Sequence, residues 1–316
     1  MNPNNKLFVN LILWLTLALF GTATGFAYEL GEVKNGGTIT GKVSLIGPLP
    51  VARAIPIVLY PFGNFCKKIS DGNGRVPLRE FNVDPNGGLQ DAVVVVQDVK
   101  RGKPFRYTKN EFITINCMFH PYDVSEEEQF KMHHGHLVHI HPLVLIIRND
   151  QLVSVLNRDP IVHNAQVYQP EKGNQVLNFP IPVSNEVHSG YVHVESGKKI
   201  VQLICGMHEY MQSWGWVVDN PYYAKTSKDG SFTIDRLPPG TYRVTAWHPQ
   251  LKLLEKEITV SPNGNVSVEF YFDSREVVRP TYETQSVFRM GPGYEQPFHK
   301  PEDVLGCEGP FCVPGK

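Results

Sequence analysis

Short runs of alternating or β-branched apolar residues recur along most of the chain, separated by Gly, Pro, Asn and Asp. Such runs predict β-strands, and the breakers between them predict tight turns. We expect 137–148 and 151–157 to form one hairpin around Asn149-Asp150. The many short strands together predict an all-β chain built as a β-sandwich. The predicted strands and hairpins occupy 36–51, 55–60, 91–97, 112–116, 137–148, 151–157, 192–194, 199–204, 214–218, 258–260 and 266–272.

The N-terminal segment follows a different pattern. Lys6 precedes an apolar run over 7–20, and Gly25-Phe26-Ala27 offers a cleavage site. This order predicts a secretory signal peptide over 1–27, with an uncleaved signal anchor as the alternative. The run is short for a membrane span, which needs about 20 residues. We therefore expect the folded part to lie in an exported compartment, periplasmic or equivalent, with membrane attachment only through an uncleaved signal segment.

Composition and charge fit a globular protein. The formal net charge is −1, and 19% of the residues are charged, which is an ordinary fraction. Lys and Arg are scattered along the chain and form no basic stripe. The electrostatic footprint of a nucleic-acid-binding protein is therefore missing, and we expect no nucleic acid partner.

The chain has five cysteines, an odd number, and this count narrows the chemistry. Cys307 and Cys312 are separated by four residues in a Pro/Gly-rich tail, which predicts a short-loop disulfide. Cys66 and Cys117 then form a second pair. Cys205 is left over, and a leftover cysteine in an exported protein needs an explanation. It is either a buried inert thiol or a metal thiolate.

The heptapeptide 205–211 surrounds Cys205 with further metal ligands. It reads Cys-Gly-Met-His-Glu-Tyr-Met, so a thiolate, an imidazole and a thioether recur at every third residue. With His163 as a second imidazole, this is the ligand set of a mononuclear copper electron-transfer site. Zinc also binds Cys and His, but a thioether adds nothing for zinc. A Cys–His hydrolase pair is the other competitor. The set favours copper and one-electron transfer, with no enzymatic activity because a fully coordinated metal leaves no room for substrate.

Three motifs lie between 137 and 218: Asn157-x-Asp159…His163-Asn164, Ser196-Gly197 before the 199–204 strand, and Cys205-x-x-His208-x-x-Met211. By these motifs, residues 137–218 resemble a cupredoxin, the fold of plastocyanin and azurin. The resemblance implies a Greek-key β-sandwich, to which we assign 28–218 with its N-terminal strand as an extension.

The cupredoxin resemblance also implies roles for single residues. The Asn164 side chain would tie the two ligand loops together and donate toward the sulfur. The loop from Cys to Met is shorter here than in plastocyanin or azurin, so Met207 or an empty axial position is an alternative to Met211. The implied ligands of one type 1 copper ion are His163, Cys205, His208 and Met211.

Two motifs follow in the chain, Asp-Gly-Ser-Phe-Thr-Ile at 229–234 and Leu-Pro-Pro-Gly-Thr-Tyr-Arg-Val at 237–244. By these motifs, residues 219–273 resemble a carboxypeptidase regulatory-like module, a small β-sandwich similar to prealbumin. Asn263-Gly264 adds a hairpin signal between the closing strands. The resemblance implies a smaller C-terminal sandwich without catalysis. Residues 36–50 resemble the opening strand of this module more weakly, and the alternative is that they form the first strand of the first domain. We expect 274–316 to form an extended Pro/Gly-rich tail.

These features set the expected function. The leading hypothesis is an exported one-electron carrier, or a relay subunit of a redox complex. Its partner would be a cytochrome or oxidoreductase that docks near His208, where Met207, Tyr210 and Trp214 could form an apolar patch. The alternatives are a copper delivery or storage protein, and a structural β-sandwich subunit of an exported complex.

A His-rich tract over 132–141 offers a possible accessory metal site. His-rich tracts bind metals, and alternate residues of a strand share one face. The alternative is a solvated polar loop, because no carboxylate spacing completes the site. The candidate ligands are His134, His136, His139 and His141.

Overall fold

Nearly all regular structure is β-strand. The computed structural model describes residues 28–278, apart from 52, 57–62, 71–72, 79, 107–109, 122–129, 134–135, 140–142, 185, 196–197 and 209. The described helical segments are single turns at Gly63–Cys66, Lys67–Ile69 and Ser274–Glu276. None of them has the length and apolar character needed to cross a membrane. The strands are β1 (Glu29–Leu30), β2 (Gly37–Ile46), β3 (Arg53–Pro56), β4 (Arg75–Leu78), β5 (Val93–Val96), β6 (Arg101–Gly102), β7 (Glu111–Ile115), β8 (Met118–Pro121), β9 (Phe130–His133), β10 (His136–His139), β11 (Leu143–Arg148), β12 (Gln151–Asn157), β13 (His163–Gln169), β14 (Asn174–Ile181), β15 (Val187–Val192), β16 (Ile200–Cys205), β17 (Gln212–Val218), β18 (Tyr223–Lys225), β19 (Ser231–Leu237), β20 (Gly240–Trp247), β21 (Leu254–Val260) and β22 (Asn265–Asp273).

The first sandwich packs a four-stranded sheet on a five-stranded sheet. The strand orders are β15-β12-β7-β8 and β11-β17-β16-β13-β14, with β12 parallel to β7 and β11 parallel to β17. Alternate residues of each strand point inward, so Val153 and Val155 meet Val201 and Leu203 in one buried cluster. The all-β sandwich predicted from the sequence is confirmed.

The second sandwich is built from both ends of the described chain. Its sheets run β18-β5-β20-β21 and β19-β2-β22. β2 pairs in parallel with β22 along its length, from Thr38 opposite Asn265 to Ile46 opposite Asp273. Sequence reasoning assigned 28–218 to the first domain, whereas β2 and β5 lie in this second one. The physical reason is the core: Ile39 and Val94 are fully buried there, and the C-terminal strands alone would leave that apolar face uncovered.

The two sandwiches share an apolar interface. The outward faces of β11 and β17 pack against the outward faces of β5 and β20, and the sheets therefore form four successive layers. Both faces of β5 and β17 are buried, which explains why these two strands are predominantly apolar in sequence. The buried side chains of this interface are Val93, Val95, Val144, Trp214, Trp216, Val218 and Trp247.

Two predicted hairpins are arches between sheets. β11 and β12 flank Asn149-Asp150, yet β11 pairs with β17 and β12 pairs with β15 and β7. The same holds at Asn263-Gly264, because β21 pairs with β20 while β22 pairs with β2. The turns themselves were predicted correctly: Asp150 and Asn263 both adopt positive φ. A tight turn that contains a left-handed residue can connect two paired strands of one sheet or two strands of different sheets. The buried faces of the flanking strands decide which of these forms.

A disulfide joins the segment around β3 and β4 to the first sandwich. Cys66 and Cys117 are bonded, as predicted, and both are fully buried in the first core. Cys117 lies in the β7–β8 turn, where Asn116 and Cys117 both have positive φ, the backbone of a two-residue hairpin turn. Residues 1–27, the Cys307–Cys312 pair and the tail after 278 lie outside the described residues.

Candidate metal centre

Three predicted ligands converge at one end of the first sandwich. His163 is the first residue of β13, and Cys205 is the last residue of the adjacent strand β16. Ala165 pairs with Cys205 across the two strands, which places His163 beyond the end of β16. The chain then turns back into β17, and His208 lies in that turn. All three side chains are buried, with exposed fractions of 0%, 1% and 0%.

The donor atoms lie at the spacing that a metal ion requires. Cys205 Sγ is 3.7 Å from His163 Nδ1 and 3.5 Å from His208 Nδ1. A metal that bonds nitrogen at about 2.0 Å and sulfur at about 2.3 Å in a trigonal plane separates its donors by about 3.7 Å. The three donors all lie within 4.8 Å of one another and form the group in the described chain that could hold a metal ion. Their chemistry and spacing therefore fit copper.

Hydrogen bonds close the ligand loop tightly. The His208 amide donates to the Cys205 carbonyl (3.3 Å), and the Met211 amide donates to the His208 carbonyl (2.9 Å). The Cys205 amide donates to the Met211 carbonyl (3.2 Å). Met211 is fully buried in the same cluster as Cys205, while Met207 is half-buried and packs against that cluster. The predicted axial role of Met211 stays a prediction, with Met207 as its alternative.

Asn164 ties the two ligand segments together through its backbone. Its amide points at Cys205 Sγ (3.5 Å), and its carbonyl accepts from the Gly206 amide (2.9 Å). The expected tie through the Asn164 side chain is wrong, because that side chain donates to Asn178 and the Phe179 carbonyl on β14. Its oxygen accepts instead from Gln166 (2.6 Å), and a Cβ on Gly206 would come within 2.5 Å of both side chains.

Asp159 is a site residue whose role the sequence did not reveal. Its Oδ2 lies 2.9 Å from His163 Nε2, on the far side of the ring from Cys205, and both side chains are buried. Asn157 shapes this segment: its side chain accepts from the Asp159 amide (2.9 Å) and donates to the Ile161 carbonyl (2.8 Å). The available signal was a carboxylate four residues before a ligand His, because metal-bound imidazoles commonly donate their second N–H to an acceptor.

The electrostatics favour a thiolate beside an imidazolium in the metal-free site. Burial alone would raise the pKa of the Cys205 thiol, but hydrogen bonds from His163 and His208 lower it to about 5. Burial alone would lower the pKa of His163, but hydrogen bonds with Asp159 and Cys205 raise it to about 9. Thiolate is the form that binds metal, so the site is prepared for a cation.

The predicted apolar patch is absent from the surface. His208 and Tyr210 have no exposed area, and their ring centroids lie 5.7 Å apart. Trp214 is buried in the interface between the two sandwiches. Tyr210 failed as a surface prediction because it packs in the first core, and Trp214 failed because its face of β17 meets the second sandwich. Met207 is the one member of the predicted patch that is partly exposed.

Only part of the His-rich tract over 132–141 lies among the described residues. β9 and β10 form an antiparallel hairpin in which His136 pairs with His133. His136 and His139 thus lie on a strand, while His134 and His141 fall outside the described residues. Elsewhere, His248 is fully buried and stacks on Phe81 at 4.9 Å, and its pKa is lowered to about 3 by burial, as expected for a structural histidine.

The comparisons with known proteins found only weak similarity. The family model that matches is polysaccharide lyase family 4, domain II, over residues 204–268, a different family from the carboxypeptidase regulatory-like module expected there. Among curated proteins, none matches the chain. Among solved structures, the chain is similar to a novel purple cupredoxin from Nitrosopumilus maritimus, with 21% identity, 24% of this chain and 79% of that chain covered, and a TM-score of 0.20.

Two further structures are similar at the same level. A reduced amicyanin mutant shows 14% identity over 40% of this chain and 98% of that chain, with a TM-score of 0.23. A copper-containing nitrite reductase from Thermus scotoductus SA-01 shows 16% identity over 37% of this chain and 24% of that chain, with a TM-score of 0.22. TM-scores this low carry no argument for function, which therefore rests on the site. The first β-sandwich of the chain thus holds a candidate metal site formed by the buried side chains of His163, Cys205 and His208.

Proposed function

We propose that the chain binds one copper ion through His163 Nδ1, Cys205 Sγ and His208 Nδ1, and that it transfers single electrons. The observation that carries this proposal is the convergence of three buried soft and borderline donors at the spacing of a trigonal metal site. Met211 is proposed as the weak axial ligand, since it is buried and closes the same loop. When bound, copper would supply a one-electron couple.

The protein's own part is to hold the donors in one arrangement. His163 is fixed on a strand and by Asp159, and Cys205 is fixed by its strand and by the Asn164 amide. The 205–211 loop is pinned by its own hydrogen bonds. A rigid, water-excluding donor set suits electron transfer, because little has to move when the charge of the site changes.

Burial of the ligands supports a carrier over a copper delivery protein. Delivery requires that a partner's ligands reach the ion, and the three donors have almost no exposed surface. Electrons need no such access. A partner could dock over the loop near Met207, the partly exposed residue beside His208, and we propose a redox protein in that role. The Cys66–Cys117 disulfide supports an exported, oxidising compartment.

The test is to add Cu(II) to the metal-free chain and record optical and electron paramagnetic resonance spectra. We expect an intense thiolate-to-copper band that saturates at one equivalent, and a reversible one-electron wave in voltammetry. Cys205→Ser should abolish the band, and Met211→Leu should keep the band but shift the potential. The matched control is His193→Ala, since His193 is 53% exposed and remote from the donor set.

The outcomes separate the hypotheses. A wild-type chain without a charge-transfer band would refute the copper–thiolate site. A band that forms without a reversible wave, together with ready loss of Cu(I) to a chelator, would favour delivery or storage. An unchanged potential in Met211→Leu would show that Met211 is not the axial ligand.

A further inference from the structure

Resting on this proposed copper site, we propose that Asp159 is a positioning residue that fixes the His163 ring and lowers the reduction potential of the bound copper. Its carboxylate is in turn held by the disulfide-bonded turn of Asn116 and Cys117. Metal-bound imidazoles are oriented by the acceptor of their second N–H, and the charge of that acceptor affects the basicity of the ligand nitrogen.

The Asp159 carboxylate accepts three hydrogen bonds from protein groups. Oδ2 lies 2.9 Å from His163 Nε2 and also accepts from the Cys117 amide at 2.8 Å. Oδ1 accepts from the Asn116 amide at 2.7 Å. An ionised carboxylate is an acceptor at both oxygens, which is what these three donors require. An amide side chain would place a donor opposite one of them.

The negative charge of the buried Asp159 carboxylate affects the relative stability of Cu(II) and Cu(I) in the proposed site. With the Cys205 thiolate and the Asp159 carboxylate, the site is neutral around Cu(II) and carries one net negative charge around Cu(I). Asp159 is 4% exposed and His163 is 0% exposed, so water screens this charge poorly. A net buried charge is unfavourable. The carboxylate therefore favours the oxidised ion and lowers the potential.

The turn keeps the carboxylate in place. Asn116 and Cys117 have φ of 54° and 58°, so their successive amides point in one direction, toward Asp159. Cys117 is bonded to Cys66, and both are fully buried. Asp159 consequently links a copper ligand on β13 to a cross-linked turn on the opposite sheet. The orientation of the His163 ring thus depends on a contact between the two sheets.

The experiment replaces the carboxylate with an amide of the same shape, Asp159→Asn, in the copper-loaded chain. We expect the ratio of the Cu(I) to Cu(II) affinities to rise at least tenfold, which is about 59 mV in a one-electron couple. The matched control is Asp150→Asn. It removes the same charge from another His–Asp hydrogen bond, with His193, but there both groups are exposed. The control should leave the ratio within twofold of wild type.

A second measurement does not depend on electron transfer, and its first part uses the wild-type chain alone. The wild-type Cu(I) form is diamagnetic, so proton–nitrogen correlation NMR can observe the proton on His163 Nε2. This proton should resonate at low field and exchange slowly with solvent. The same signal should be lost or move upfield in Asp159→Asn. If that variant does not fold, the wild-type signal alone decides, because its absence overturns the contact.

The proposal fails on clear results. An unchanged or lowered potential in Asp159→Asn overturns it, and so does an equal shift in Asp150→Asn, which would indicate a general charge effect. Failure of the copper site itself is distinguishable. In that case the wild-type chain shows no charge-transfer band at all, whereas failure of this proposal leaves the wild-type band intact.

Discussion

In the metal-free chain, Cys205 is expected to be a thiolate at neutral pH. Its pKa of about 5 reflects hydrogen bonds from two imidazoles that outweigh burial. His163, with a pKa of about 9, stays protonated over the same range. Removing the His163 imidazole takes away one of these two partners while the sulfur stays buried. We therefore expect His163→Gln to raise the pKa of the Cys205 thiol.

The size of the effect follows from these values. At pH 7 the thiolate should exceed the thiol roughly a hundredfold, because the pH lies about two units above the pKa. With the ordinary thiol pKa of 9.0 the ratio would be inverted. The stability consequences have opposite signs. The Cys205 thiolate contributes stability that is fully present above pH 9.0 and is lost as the pH falls through about 5. The His163 imidazolium contributes stability that is fully present below pH 6.5 and is lost as the pH rises through about 9.

Together these two shifts make the metal-free fold gain stability between about pH 5 and 6.5, by roughly 2 kcal/mol at most, and little above that. The assay is the ultraviolet absorption of the thiolate as a function of pH, with Cys205→Ser as the blank for tyrosine and for other cysteines. Wild type should titrate near pH 5 and His163→Gln at higher pH. A wild-type thiol that is still protonated at pH 7 would refute the reasoning that hydrogen bonds from imidazole outweigh burial.

Two further predictions concern the surroundings of the site. The double variant Cys66→Ala with Cys117→Ala removes a disulfide that closes a loop with a sequence separation of 51. The free energy of unfolding should therefore fall by about 4 kcal/mol. A loss below about 1 kcal/mol in a denaturant titration would contradict this prediction. Gly206→Ala puts a Cβ 2.5 Å from the Asn164 and Gln166 side chains, so the ligand loop should shift and stability should fall by about 1–3 kcal/mol. An unchanged charge-transfer band and an unchanged denaturation midpoint would contradict the second prediction.

The strands were readable from the sequence, but their pairing was not. Runs such as 93–96 and 214–218 are strands because β-branched and aromatic residues suit a pleated, buried backbone. The turn residues were also readable, since Asp150 and Asn263 adopt the positive φ that such positions allow. The same turn chemistry leads into a hairpin at Asn116 and into an arch between sheets at Asp150. The choice depends on which apolar faces meet, and those faces belong to strands far apart in the chain.

The proposed ligand set could be predicted from the sequence because three of its four members lie close together in the chain. Cys205, His208 and Met211 lie within seven residues, and the odd cysteine count pointed to Cys205. Asp159 was not assigned a role, because a carboxylate near a His has many uses and only the folded chain shows its Oδ2 at 2.9 Å from Nε2. The apolar surface patch predicted near His208 was wrong for Tyr210 and Trp214, because burial depends on elements that the ligand loop itself does not contain.

The sequence by itself determined the strands, the turns and the residue types that bind a soft metal, because propensity, backbone conformation and donor chemistry are local properties. The tertiary structure decided which strands share a sheet, and it placed β2 beside β22 and β5 beside β20. It also decided how deeply the ligands are buried and which carboxylate faces His163. Burial and long-range contacts depend on how separate segments cover one another, so they are properties of the whole fold.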